Sequence, residues 1–103
     1  MKRWTVIEEA GTCTLTRTGI APGWDMSAEA RLPGRSAPTP TVRRRIAHQV
    51  RQDLWRSLRR IRGFVPVVRV GESNGGIAIR AGGRLLAGRP TARDIERVAE
   101  VIE

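Results

Sequence analysis

A chain of 103 residues with 19 basic against 10 acidic side chains, a formal +9, has room for one domain around one modest core. That charge points to an acidic partner, either nucleic acid or an acidic protein or nucleoprotein surface. Cys13 and His48 are the only residues of their kinds, which excludes an intrachain disulfide and a zinc site built from cysteine and histidine. A reducing, cytoplasmic setting is therefore expected. The first residues turn polar at Glu8 and Glu9, and no apolar stretch is long enough to span a bilayer, so neither a secretory leader nor a membrane partner is expected.

Residues 4–20 read as a hairpin. Trp4 to Ile7 is β-prone, Glu8 to Gly11 makes the turn, and Thr12 to Thr18 alternates. Residues 19–40 form a connecting segment punctuated by Pro22, Gly23, Pro33, Gly34, Pro38 and Pro40. Inside it Met26, Ala28, Ala30 and Leu32 alternate with Ser27, Glu29 and Arg31, which suits a short edge strand and, nearly as well, a single helical turn. Residues 33–40 look like an extended linker.

Residues 41–62 carry the clearest helical period. Val42, Ile46, Ala47, Val50, Leu54, Leu58 and Ile61 recur at spacings of three and four, with Thr41 as cap and Gly63 as stop. Phe64 to Val70 then reads as a strand, and Pro66 argues that it lies at an edge or begins irregularly. Asn74-Gly75 signals a hairpin, Ile77 to Ala81 the return strand, Gly82-Gly83 a further turn, and Arg84 to Ala87 a short third strand. A last helix is expected over residues 92–102, with Thr91 and Asp94 as a capping box and Ile95, Val98, Ala99 and Ile102 as its apolar stripe. The predicted fold class is α+β, one domain over residues 1–103: an N-terminal β-hairpin, a long basic amphipathic helix, a small antiparallel meander and a C-terminal helix. From residue 41 the order α-β-β-β-α is similar to that of the double-stranded-RNA-binding domain. That family carries a lysine-rich cluster at the start of its second helix, where this chain reads Pro90-Thr91-Ala92-Arg93-Asp94.

The long helix is the main candidate for function. Residues 41–62 hold eight arginines against Asp53 alone, most of the net charge. At about 100° per residue, Arg44, Arg45, Arg51, Arg56, Arg59 and Arg62 fall mostly opposite the apolar stripe, with His48 and Trp55 among them. An arginine face holding one planar aromatic suits phosphate contacts plus base stacking. A solvated face with Trp55 folded onto a neighbouring element is expected equally. In the meander, Arg69 and Arg80 share a face in both plausible registers, and a tight Asn74-Gly75 turn sets them opposite each other. Two adjacent cations repel unless an anion or an acidic partner relieves them; otherwise both are expected to extend apart into water. The candidate partner-binding set is therefore Arg44, Arg45, Arg51, Trp55, Arg56, Arg59, Arg62, Arg69 and Arg80. No catalytic residue, cofactor or metal is predicted.

Other signals are weaker. The stretch Gly71 to Gly76 lacks the Gly-Lys-Ser/Thr ending of a phosphate loop and reads as a turn. His48 reads as a surface residue that charges below about pH 6.5, and Cys13 as a core thiol. Glu8, Glu9, Asp25 and Glu29 would need to converge to make a nuclease metal cluster, and their spacing does not demand it. Two functions lead, ahead of a structural protein that must assemble to bury its surface. One is a non-enzymatic nucleic-acid-binding protein that reads backbone or shape. The alternative follows from small size, a single domain and the lack of catalytic residues: in general character the chain resembles the small inhibitors encoded by phages and mobile elements, the anti-CRISPR proteins among them. That resemblance implies blocking of a host effector by occupying an acidic surface, and it assigns no particular residue.

Overall fold

In the computed structural model of the chain, which describes residues 3–33, 38–73 and 75–102, five strands and two helices form. They are β1 (Trp4–Glu9), β2 (Thr12–Arg17), β3 (Met26–Leu32), α1 (Pro40–Leu58), β4 (Phe64–Ser73), β5 (Gly76–Leu85) and α2 (Ala92–Val101). The strands make one antiparallel sheet in the order β1-β2-β4-β5-β3. The fold is α+β, with the hairpin at one edge and both helices on one face. Residues 34–37 of the expected linker, and Asn74 of the expected hairpin turn, lie outside the described residues.

The β1–β2 connection is tighter than the composition suggests. Glu9 pairs with Thr12, so the turn is Ala10-Gly11 alone, and both residues take positive φ (45° and 79°). That conformation matches the right-handed twist of the flanking strands. Residues 26–32 resolve as the second edge strand, paired along its length with β5.

The N-cap of α1 lies two residues before the expected one. Thr39 is the N-cap, its hydroxyl accepting the Val42 N–H at 3.2 Å, and Pro40 takes the first turn, where a missing N–H costs nothing. The helix ends at Leu58, short of Gly63. Tight bonds from Ile61 N–H to the Leu58 carbonyl and from Phe64 N–H to the Ile61 carbonyl turn the chain into β4 and leave Ile61 packed against the core. The apolar stripe is otherwise phased as predicted, with Ala47, Leu54 and Leu58 buried and Ile46 and Val50 packed beside them. Val42, in the first turn, is the exception at 36% exposure.

Two expectations for the meander are corrected. Strand β4 is central, although it contains Pro66. Gly83 opposes Pro66 and turns its carbonyl toward Asp25 N–H on the β3 side. The bond-lacking side of Pro66 therefore faces β2, whose ladder with β4 has already ended at the Leu15–Val68 pair. Gly82-Gly83 is not a turn either. Strand β5 runs through it to Leu85, so two long strands and no third lie between the helices.

Alternation decides the faces. Cys13, Leu15, Val68, Val70, Ile79 and Ala81 point to the helix side and meet Leu54 and Leu58 of α1 and Val98 of α2 in one core. Helix α2 has the predicted capping box, Thr91 and Asp94 each bonding the other's backbone N–H. Its stripe is narrower than expected: Val98 is buried, whereas Ile95 is 43% exposed. Residues 18–25 must carry the chain from β2 to the far edge and cross the helix-free face. There Arg84 donates to the Ala21 carbonyl at 3.1 Å, and Val65 and Val67, which point to this face, are buried.

Candidate nucleic-acid interface

One flank of α1 faces the N-terminal hairpin and brings cations and aromatics together. Arg44 pairs with Glu8 of β1 at 3.3 Å. Two turns on, the Arg51 guanidinium lies 4.5 Å above the ring of Trp4, and one turn further Trp55 stands 47% exposed. Arg3, Trp4, Arg17, Arg51, Trp55, Phe64 and Pro66 line a cavity of about 350 Å³. No carboxylate among the described residues lines it. Arg51 is partly desolvated, which pushes its pKa down, although a guanidinium stays charged throughout the physiological range. Its Nε has no hydrogen-bond partner among the described residues.

The outer surface continues this charge. Arg45, Arg56, Arg59, Arg60 and Arg62 are exposed. Arg43 is different: it is buried, and its Nη1 donates to the Pro38 carbonyl at 2.7 Å, tying the segment before α1 to the helix.

Arg69 and Arg80 do not join this surface. The tight β4–β5 register sets them directly opposite each other, and the same register places Val68 and Val70 in the helix-side core. Period-two alternation therefore puts the two arginines on the far face of the sheet. Their repulsion is relieved inside the protein. Trp24, carried by the β2–β3 crossover, lies 4.3 Å from the Arg80 guanidinium and 6.0 Å from that of Arg69. Arg80 Nε also donates to Ser27 Oγ at 3.2 Å. The π-face supplies negative potential within the protein, without an outside anion. The nine candidate residues thus divide, seven along α1 and its C-terminal turn and two beneath the crossover.

The acidic residues are spread out. Glu8 is taken by Arg44, and Asp25 Oδ2 accepts the Leu85 N–H at 2.7 Å. Among the described residues no group of three His, Cys, Asp or Glu side chains could hold a metal ion. Cys13 is fully buried, and burial, then Glu8, pushes its thiol pKa up, so little reactive thiolate forms.

His48 sits on the same α1 flank, where burial first, then Arg51 and Arg44, hold its pKa below the ordinary imidazole value. It therefore charges at lower pH than the sequence suggests. As pH falls through about 6.5, the unfolded chain takes up the proton before the folded one does. The fold should keep its full stability above that pH and lose some between there and the depressed native value. Urea titrations at pH 7.5 and 5.5 should show a smaller loss in His48→Gln than in the parent. Equal losses in both would mean that the imidazole is unperturbed.

The candidate set lacked Arg3, Trp4, Arg17, Phe64 and Pro66 of the cavity, and Trp24 of the crossover. The position of Arg17 opposite Trp4 follows from a two-residue Ala10-Gly11 turn, so Gly11 was the usable signal. The docking of Trp4 against Arg51 and of Trp24 against Arg80 had no local signal. No family model matches this chain, no curated protein matches its sequence, and no solved structure matches its fold.

Proposed function

We propose that this chain is a non-enzymatic nucleic-acid-binding protein that lays phosphate backbone along the exposed arginines of α1 and its C-terminal turn. The observation that carries the reading is the alignment of Arg45, Arg56, Arg59, Arg60 and Arg62 on the solvent side, next to a cavity that combines arginine with indole and holds no acid among the described residues. Guanidinium forks match phosphate oxygens, and the released counterions make such binding tight at low salt.

Arg56, Arg59 and Arg62 test it, because they are exposed and take no part in the core. Arg51 is unsuitable, since its loss would also uncover Trp4. Changing the three together to Ala should leave the melting temperature within a few degrees. Affinity for a mixed-sequence oligonucleotide should fall at least about tenfold at low salt, and the slope of log K against log salt should flatten by about one for each phosphate-binding arginine removed. Unchanged affinity and slope would defeat the reading. A host partner that survives nuclease treatment in a pull-down would favour the alternative, an inhibitor seated on an acidic protein surface.

A further inference from the structure

Nothing in a basic helix face alone distinguishes a duplex from a single strand. The cavity between the hairpin and the C-terminal half of α1 does. From its geometry we infer that it receives one unpaired nucleobase, with the adjoining phosphate held at its rim, so that the protein favours single-stranded over double-stranded nucleic acid. This rests on the binding reading above and specifies its substrate.

The walls and the rim have different chemistry. Trp55 presents an exposed indole on which a base could stack, while Phe64 and Pro66, both buried, form an apolar floor that cannot hydrogen-bond a base edge. A volume of about 350 Å³ is of small-molecule size and far too small for a duplex. Arg3 and Arg17 line the cavity and are exposed, so they are within reach of phosphate oxygens from solvent. Arg51 is already stacked on Trp4 and partly desolvated, so its guanidinium adds fixed positive charge to the cavity wall. Bases in a duplex keep their π-faces covered by neighbours, so only an unpaired or flipped-out base can occupy such a cavity. Stacking accepts any base, so sequence preference should be slight, and the phosphate contacts alone do not separate DNA from RNA.

The experiment compares short poly-dT and poly-U strands with a duplex of equal phosphate number, using the full chain and the variants Trp55→Ala and Trp55→Phe. The single strands should bind about tenfold or more tightly than the duplex. Trp55→Ala should remove most of that advantage and leave duplex binding nearly unchanged, whereas Trp55→Phe should keep much of it. A 2-aminopurine placed in the strand should be quenched on binding by the parent and remain bright with Trp55→Ala. Because Trp55 is about half exposed, thermal melts of the variants should stay close to the parent and show that loss of binding is not loss of folding. Equal affinity for strand and duplex, with Trp55→Ala harmless to both, would overturn this inference and leave the basic-face reading standing. No binding to either polymer at low salt would overturn both.

Discussion

A single methyl group at Gly83 should cost the fold more than about 3 kcal/mol. Gly83 sits in β5 at φ 153°, and a Cβ there would run into the Val65 carbonyl oxygen and come within 2.9 Å of Pro66 Cα, both main-chain atoms of the neighbouring strand. A flexible side chain could move aside, but a central strand cannot do so without breaking its ladders. Gly82 is equally confined on the other side, where its Cβ would meet the Met26 carbonyl oxygen of β3. The pair thus lets β5 approach both neighbours at the point where the crossover reaches the far edge. A domain of this size holds about 5–15 kcal/mol in all, so Gly83→Ala should remove a large share of it. In urea the midpoint should fall sharply with little change in the slope. Gly88→Ala is the control: it also has positive φ (79°) but nothing within 4 Å of its Cβ, and it should lose only about 1 kcal/mol. Similar losses at both positions would mean that backbone conformation, not the close approach, is what matters at Gly83.

Leu54→Ala should destabilise by about 2–5 kcal/mol, the range expected when a fully buried leucine leaves a cavity among close-packed neighbours. Leu54 is 0% exposed and lies in the core with Leu15, Val68 and Val98, residues of two strands and the other helix. Val42→Ala, on the same predicted stripe but exposed, should change stability by less than about 0.5–1 kcal/mol. The contrast tests the phase of α1 and the basic surface with it. If Leu54 points inward, the helical period turns Arg45, Arg56 and Arg59 outward. A mild effect of Leu54→Ala beside a large one of Val42→Ala would rotate the helix and bury part of the proposed interface.

The sequence itself determined much of this. The spacing of Ala47, Leu54 and Leu58 set the buried face of α1 and so the arginine face opposite. Thr91 and Asp94 marked the start of α2, and period-two alternation put Arg69 and Arg80 on one face in either register, while the folded ladder chose the pairing that sets them opposite each other. These signals work because side-chain period, caps and tight turns act over a few residues, where backbone sterics leave few choices. Tertiary structure decided what neighbours across the sheet decide. Pro66 is tolerated in a central strand because β2 stops short of it, and Gly82-Gly83 extends a strand because two other strands crowd it. Trp24 quiets Arg80 because the crossover passes over that face, and Trp4 meets Arg51 because the hairpin packs beside α1. Each depends on segments far apart in the chain, as in the Arg80–Ser27 bond across 53 positions. Such pairings have no local period to betray them, since they exist only once burial of the common core has fixed which strands and helices lie side by side.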